Sequence, residues 1–209
     1  MLAEALGEGL FRILVPFEDL TTTVYVVDRA GEVLLIDCAT YPTDVDDYVL
    51  PALSALGIDP ARVSTLALTH RHGDHAGGAA RLCERLPQST LCAFAPVKGL
   101  PTRLLQDGET ITGGMQVLHL PGHTEDSVGY FDRTTGTLLS GDCLQLAGIG
   151  RYRNGVKLPD RYKASIERLR RLPIHRIVAA HEYDPLGSLA RGEPAVQIYL
   201  DTCLDVIGG

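Results

Sequence analysis

One arrangement recurs along this chain: a short apolar run is followed at once by histidine or aspartate. The run Val63 to Leu68 leads into His70-Arg71-His72-Gly73-Asp74-His75, which places three imidazoles and one carboxylate within six residues. Single donors follow three later runs, at His123, Asp142 and His181. Because strand ends at one edge of a sheet bring loop side chains together on a rigid base, the pattern predicts strands that deliver these side chains to a common site.

The size and composition predict one soluble globular domain over residues 1–209. Hydrophobic residues make up 45% of the chain and charged residues 22%, which is ordinary for such a domain. No apolar run approaches the ~18 residues that a membrane-spanning helix requires. The segment Met1 to Gly9 contains Glu4 and Glu8 and no basic residue, which argues against a secretory signal peptide.

The charge and the cysteines narrow the class of protein further. A net charge of -7 disfavours nucleic acid and membranes as partners, so we expect a small-molecule substrate. The five cysteines are odd in number and form no C-x-x-C pair, which disfavours a disulfide scaffold and favours the reducing cytoplasm. We expect each of them to be a small buried apolar residue.

Hydrophobic periodicity predicts an α/β chain. Two hairpins are expected, built from Val24–Asp28 with Val33–Asp37 and from Ser127–Asp132 with Thr137–Leu139. Further strands are predicted over 63–69, 115–120 and 176–180, and helices over 41–56, 74–86, 162–172 and 196–207. Asp74 is the expected N-cap of the second of these helices.

The two hairpins resemble one another in sequence. Tyr25-Val26-Val27-Asp28-Arg29 leads to Asp37-Cys38, as Tyr130-Phe131-Asp132-Arg133 leads to Asp142-Cys143. Both segments follow the order strand, Asp-Arg turn with glycine, Leu-Leu strand and Asp-Cys. The match indicates two related halves, each a sheet covered by helices, with chance similarity as the alternative.

The donor residues are of the types that bind zinc, iron or manganese through imidazole nitrogen and carboxylate oxygen. A lone histidine at a strand end is more often a hydrogen-bonded structural residue, but five histidines and two aspartates placed in this way favour a metal site. His119 and His175 differ, because the first lies inside a strand pattern and the second in a turn. We expect these two to be ordinary structural residues.

The motif His70-x-His72-x-Asp74-His75 resembles the signature of the metallo-β-lactamase superfamily of hydrolases. Three later segments are similar to the family's second, third and last motifs, namely Leu120-Pro121-Gly122-His123-Thr124, Ser140-Gly141-Asp142 and Ala180-His181. Order and rough spacing agree from Val24 to His181. The resemblance implies an α/β fold of four layers, an αββα sandwich with two sheets between helices.

The resemblance also implies a dinuclear metal centre, with zinc expected ahead of iron or manganese. The implied ligands are His70, His72 and His123 for one metal, Asp74, His75 and His181 for the second, and Asp142 as the bridge. Two metals roughly 3.5–4 Å apart need a shared anionic ligand to offset their repulsion, and the hydroxide between them is the expected nucleophile. Asp74 is additionally expected to orient or relay a proton as a catalytic residue.

The family motifs do not choose a substrate, so an ester, a thioester or a lactone is expected. Glyoxalase II-like thioester hydrolysis is a natural comparison, because the metal-ligand set looks the same. Those enzymes carry an additional C-terminal helical segment, whereas only residues 182–209 follow His181 here, so a glutathione thioesterase is not favoured. True β-lactamases with Cys or Ser at the third motif differ at Asp142, and nuclease members tend to be longer.

Two segments are candidates for substrate binding. Arg151 and Arg153 lie in the segment Leu144 to Lys157 and would suit a carboxylate or phosphate on the substrate, with a solvated loop as the alternative. Tyr183 follows Ala180-His181-Glu182, which departs from the Gly-His-Gly form common in the family. Its phenol either donates a hydrogen bond to substrate or packs a turn.

Two other functions stand as alternatives to hydrolysis. Persulfide dioxygenases resemble this motif set, yet use a single iron held by two histidines and one aspartate. A non-catalytic binding protein is the third class. Loss of ligands is the usual sign of that class, and no ligand is missing from the motifs of this chain.

Overall fold

The chain forms two compact units in the computed structural model, which describes residues 3–18, 20–146, 155–182 and 186–208. The N-terminal unit contains Met1–Leu105 and Ile111–Gly113, and the C-terminal unit contains Gln106–Thr110 and Gly114–Gly209. Each unit has its own sheet, helices and hydrophobic core. This division agrees with the two related halves that the repeated hairpin sequence indicated.

The sheet of the N-terminal unit has seven strands, which are neighbours in chain order. They are β1 (Glu4–Gly7), β2 (Leu10–Phe17), β3 (Leu20–Arg29), β4 (Glu32–Ile36), β5 (Val63–Ala67), β6 (Thr90–Ala93) and β7 (Arg103–Leu104). The first four strands pair antiparallel, and β4 to β7 pair parallel. The predicted first hairpin is therefore β3 with β4, and the predicted strand that precedes the His-rich motif is β5.

The helix predicted over 41–56 forms, with a change of winding along it. It runs through α1 (Pro42–Asp44), a π-helical stretch (Val45–Val49) and α2 (Leu50–Ala55). Its apolar side chains, including Val45, Val49 and Leu53, are buried in the core of the N-terminal unit. The helical spacing of these residues in the sequence predicted that face.

The helix predicted over 74–86 is broken in two, α3 (Gly73–Ala76) and α4 (Ala79–Arg85). The chain passes so close to the loop after β4 that a Cβ on Gly77 would lie 1.9 Å from the Thr40 carbonyl oxygen. Likewise a Cβ on Gly78 would lie 2.0 Å from the Cys38 carbonyl oxygen. His72 is the N-cap and Asp74 lies inside the first turn, so the prediction of Asp74 as N-cap was wrong.

The sheet of the C-terminal unit has the strand order β13-β12-β11-β10-β9-β8. Its strands are β8 (Thr110–Ile111), β9 (Met115–His119), β10 (Val128–Asp132), β11 (Thr137–Gly141), β12 (Arg176–Ala179) and β13 (Leu189–Arg191). The helices are α5 (Pro159–Leu169) and α6 (Glu193–Gly208). Only β11 and β12 pair parallel among the strands whose register is described.

The two units share a sequence of elements. A hairpin, β3 with β4 or β10 with β11, is followed by a helical connection and then by a strand parallel to its second member, β5 or β12. Tyr25 in β3 and Tyr130 in β10 are both fully buried. Because parallel neighbours end at the same edge, residues after β4 and β5, and likewise after β11 and β12, lie beside each other.

Four of the five cysteines, Cys38, Cys92, Cys143 and Cys203, are buried, and all five are free thiols. Cys83 is only partly buried, so the expectation of a buried cysteine was wrong at that position. Burial raises the pKa of the Cys203 thiol to about 12. Among the helices in the described ranges, none combines the length and the apolar character needed to cross a membrane.

Candidate metal centre

The His-rich motif follows β5 and continues into α3, so its donors sit on a short rigid element. His70 and His75 are buried, and their ring centroids are 4.2 Å apart, while those of His70 and His72 are 4.6 Å apart. Asp74 and His75 are consecutive in the first turn of α3, where an Asp74 carboxylate oxygen lies 3.4 Å from His75 Nε2. The four predicted donors of the motif therefore form a compact group within the N-terminal unit.

Asp37 orients this group, although it lies outside the predicted ligand set. Its buried carboxylate accepts hydrogen bonds from the Thr69 amide at 2.7 Å, the Thr69 hydroxyl at 2.8 Å and His75 Nδ1 at 2.8 Å. Because a carboxylate only accepts, His75 carries its proton on Nδ1 and presents Nε2 as a ligand atom. The repeated Asp-Cys pair after β4 and β11 was the sequence signal for a special role at this position.

The loop that carries Asp37 is held in a strained conformation. Asp37 and Ala39 adopt φ angles of 66° and 62°, in the left-handed region that non-glycine residues rarely occupy. The Cys38 amide donates to the His75 carbonyl oxygen at 2.7 Å, and the Gly78 amide donates to the Ala39 carbonyl oxygen at 3.2 Å. These bonds fix the loop against α3 and so fix Asp37 behind His75.

The three donors of the C-terminal unit also follow strands, His123 after β9, Asp142 after β11 and His181 after β12. All three are buried. One carboxylate oxygen of Asp142 lies 3.5 Å from His123 Nε2, and the other lies 3.4 Å from His181 Nε2. Each oxygen of Asp142 thus faces a different imidazole, which is the arrangement expected of a carboxylate shared by two metals.

Hydrogen bonds from behind orient the C-terminal donors as well. His123 Nδ1 lies 2.5 Å from the Gly155 carbonyl oxygen, so this nitrogen carries the proton and Nε2 has the lone pair that a ligand atom requires. After His181, the Glu182 carboxylate accepts from the Ser188 amide at 3.2 Å and from its hydroxyl at 2.5 Å. Glu182, one of the two residues that depart from the family's Gly-His-Gly form, therefore joins the residue after His181 to the residue before β13.

The remaining predicted residues are placed as follows. Arg151, Arg153 and Tyr183 lie outside the described residues, so their contacts with substrate stay predictions. His119 lies in β9, where its Nε2 is 2.8 Å from the Glu125 carbonyl oxygen, and the His175 amide donates to Gly136 in a turn. Both have the structural settings that their sequence positions indicated.

The donor chemistry of each unit fits a divalent metal. The N-terminal unit offers three imidazoles and a carboxylate, and the C-terminal unit offers two imidazoles and a carboxylate. Such nitrogen and oxygen sets suit zinc, iron or manganese. Burying several titratable side chains together is costly unless they are hydrogen-bonded or coordinate an ion, and most of these donors are buried.

Comparison with known proteins gives a family match over part of the chain and a set of curated relatives. A family model described as the metallo-beta-lactamase superfamily matches residues 18–93. A hydroxyacylglutathione hydrolase of Idiomarina loihiensis is 38% identical over 125 residues, which cover 58% of this chain and 48% of the relative. That of Methylobacillus flagellatus is 33% identical over 180 residues, covering 81% and 65%. The chain thus spans about half to two thirds of the length of these curated relatives.

Solved structures share the fold over nearly the whole chain. A metallo-beta-lactamase family protein from Thermus thermophilus has a TM-score of 0.75 at 21% identity, covering 98% of this chain and 80% of that one. A B3 metallo-beta-lactamase with an active-site glutamic acid has a TM-score of 0.73 at 22% identity, covering 100% and 89%. At these identities the likeness concerns the fold alone, and it confirms the predicted α/β class and metallo-β-lactamase fold.

Proposed function

We propose that this chain is a member of the metallo-beta-lactamase superfamily and a metal-dependent hydrolase that cleaves an acyl thioester. The observation that carries the proposal is the carboxylate of Asp142, whose two oxygens face His123 and His181. A carboxylate with an imidazole at each oxygen suits a centre of two metals. The thioester class is taken from the relatives, which are named hydroxyacylglutathione hydrolases.

The proposed ligands follow the family motifs. They are His70, His72 and His123 for one metal, Asp74, His75 and His181 for the other, and Asp142 for both. Zinc is the proposed metal, because imidazole and carboxylate are common zinc ligands. When bound, two such metals activate water and polarise the carbonyl oxygen of the substrate.

The chain's own residues prepare the donors for this chemistry. Asp37 holds the proton of His75 on Nδ1, and the Gly155 carbonyl does the same for His123. Both rings therefore present Nε2 without a change of tautomer. Asp74 lies beside His75 at the start of α3 and is the proposed acceptor and donor of the proton that moves during hydrolysis.

Oxygen chemistry at a single iron is a less favoured function. Its proposed site would need only two histidines and one aspartate, whereas this chain carries both motif donor groups and an Asp142 with an imidazole at each oxygen. The relatives named above are hydrolases, not oxygenases. Metal content separates the two functions, because the dioxygenase would hold one iron per chain.

The test is metal analysis combined with substrate turnover. We expect about two metal ions per chain and release of thiol from a hydroxyacyl thioester of glutathione, with loss of both on chelation and recovery on adding zinc. A thioester of a different thiol tests whether the glutathione half is recognised. A metal-loaded protein that cleaves no thioester, lactone or phosphodiester would overturn the hydrolase proposal, and cleavage of lactone alone would overturn the thioester class.

A further inference from the structure

Three residues of the C-terminal unit surround the backbone at His123 and Asp142 without being predicted ligands. They are Gln145, Gly155 and Tyr162. Gln145 is 4% exposed. Tyr162, a residue of α5, is fully buried in the hydrophobic core of the C-terminal unit. Gln145 comes three residues after Asp142, Gly155 shortly precedes α5, and Tyr162 lies in the first turn of α5. Together they connect His123 and Asp142, two predicted ligands, to helix α5.

The Gly155 carbonyl determines the tautomer of His123. The oxygen lies 2.5 Å from Nδ1 and can only accept a hydrogen bond, so Nδ1 donates and Nε2 keeps its lone pair. Nε2 lies 3.5 Å from an Asp142 carboxylate oxygen, within the group of C-terminal donors. If the Gly155 carbonyl were displaced, the His123 ring could rotate, and its proton would no longer be held on Nδ1.

The main chain and Gln145 together fix that carbonyl. The amides of Lys157 and Leu158 both donate to the Gly122 carbonyl oxygen at 2.9 Å, which ties this stretch to the residue before His123. The amide group of Gln145 lies against the α-carbon of Gly155, where a Cβ would come within 2.3 Å of Gln145 Oε1. A side chain at 155 would therefore displace the Gln145 carboxamide from its present position.

Gln145 is in turn held by Tyr162 and by Asp142. Its side-chain Nε2 donates to the Asp142 carbonyl oxygen at 3.0 Å. Its backbone amide donates to the Tyr162 hydroxyl at 2.8 Å, and that hydroxyl donates to the Gln145 carbonyl oxygen at 3.0 Å. The Tyr162 side chain also packs so tightly on Gly122 that a Cβ there would lie 2.6 Å from it.

The phenol of Tyr162 is suited to a permanent structural bond. Burial raises its pKa well above the ordinary value of a tyrosine, with the nearby Cys203 thiol adding to the rise. The hydroxyl therefore stays protonated and both donates and accepts. One buried oxygen thus supports the main chain at Gln145 through two hydrogen bonds.

We propose that Gln145, Gly155 and Tyr162 form a brace that positions the imidazole of His123 and the main chain at Asp142 for metal binding. The three are positioning residues, since none supplies a ligand atom. Groups that support a metal ligand from behind typically contribute about 10–100-fold to metal affinity. The brace rests on the metal centre of the proposed function. Removing one hydrogen bond of the brace should weaken metal binding while the protein still folds.

The experiment compares two buried tyrosines of the C-terminal unit in the full chain. Tyr162→Phe removes the hydroxyl of the brace, and Tyr199→Phe removes a hydroxyl that donates to the Gly187 carbonyl oxygen instead. Zinc affinity is measured by competition with a chelator. The tautomer of His123 is read from nitrogen-15 NMR of the metal-free protein, and thermal unfolding monitors the fold.

We expect Tyr162→Phe to weaken zinc binding about tenfold and to reduce the population of His123 protonated on Nδ1 alone. Tyr199→Phe should change both quantities less, because its hydroxyl bonds to Gly187 and makes no bond to Gln145 or Gly155 in the structure. Gly155→Ala should weaken zinc binding at least as much as Tyr162→Phe, because the new Cβ would push on Gln145. If Gly155→Ala does not fold, the single-oxygen change at Tyr162 carries the test.

Two results would overturn the brace while leaving the hydrolase proposal intact. One is wild-type zinc affinity and an unchanged His123 tautomer in Tyr162→Phe. The other is an equal loss of affinity in Tyr199→Phe, which would indicate a general loosening of the unit. Absence of zinc binding by the wild-type chain would instead refute the metal centre of the proposed function, and the brace with it.

Discussion

The two units place an aspartate at the same point of the repeated hairpin, yet the two aspartates have different surroundings. Asp37 follows β4 and accepts three hydrogen bonds of 2.7–2.8 Å, from Thr69 and His75. Asp142 follows β11, and its oxygens lie 3.4 and 3.5 Å from the nearest imidazole nitrogens. Those separations exceed an ordinary N–H···O hydrogen bond. One aspartate supports a proposed ligand, His75, and the other is itself a proposed ligand.

The residue at the end of the neighbouring parallel strand also differs between the two units. In the N-terminal unit, Thr69 follows β5 and gives Asp37 both its amide and its hydroxyl. In the C-terminal unit, the residue at the matching point before His181 is Ala180, whose methyl side chain carries no hydroxyl. The Thr69 hydroxyl is therefore a support for Asp37 that has no side-chain counterpart at position 180.

The largest expected effect comes from removing the two carboxylates in turn. Asp142→Ala should lower kcat/KM by about 10³-fold or more, since the loss of a shared ligand removes several kcal/mol of transition-state stabilisation. Asp37→Ala should lower it less, because His75 remains as a ligand. The measurement is kcat/KM on a thioester together with metal ions per chain. Full metal content and activity in Asp142→Ala would show that Asp142 is not a ligand and does not differ from Asp37 in this way.

A milder change tests Asp37 as a support. Asp37→Asn keeps the shape but offers an amide where Thr69 and His75 both donate, so the buried network loses acceptors. We expect zinc binding to weaken about 10–100-fold and the free energy of unfolding to fall by about 1–3 kcal/mol. Chelator competition and urea unfolding measure the two effects.

The control for that change is Asp28→Asn at the end of β3. Asp28 is partly exposed and pairs with Arg62, so its replacement should cost at most about 1 kcal/mol and leave zinc affinity unchanged. If both variants weaken zinc binding equally, Asp37 has no specific link to the metal ligands.

Much of this organisation could be predicted, because it follows local rules. The apolar runs became β5, β11 and β12, and the donors after them, such as Asp142 and His181, lie just beyond the strand ends. Alternation and turn residues are local signals, and short motifs name donor types directly. The fold class followed from the motifs and was confirmed by solved structures that share the fold.

Other features depend on contacts that are distant in the chain. The break at Gly77 arises because the helix passes the Thr40 carbonyl, and no periodicity within 74–86 shows that neighbour. The role of Asp37 depends on His75, which is 38 residues away. The function of Gly155 depends on Gln145 lying against it. A glycine or a buried aspartate has such a role only once the fold brings its neighbour into place.

Two threonine hydroxyls that donate to buried aspartates allow support of the fold to be separated from support of the proposed metal ligands, and the expected effects are smaller. Thr69→Val and Thr135→Val each remove a threonine hydroxyl that donates to a buried aspartate, Asp37 in one unit and Asp132 in the other. Each should lower the free energy of unfolding by about 1–2 kcal/mol, because an acceptor loses its partner. Only Thr69→Val should also weaken zinc binding, since only Asp37 contacts a proposed ligand. Equal zinc affinities in the two variants would contradict a special role for the N-terminal aspartate.

The smallest expected effect concerns the residue after each strand-end histidine. Arg71 donates to the Pro96 carbonyl oxygen at 3.1 Å, and Glu182 accepts from Ser188, so each unit fastens the following loop through this position. Both side chains are exposed, and solvent weakens such contacts. Glu182→Gln should therefore lower the free energy of unfolding by less than about 1 kcal/mol. Zinc affinity should change less than in Thr69→Val, because Glu182 acts on the loop and Asp37 on the ligand itself; a larger change would place Glu182 among the groups that orient His181.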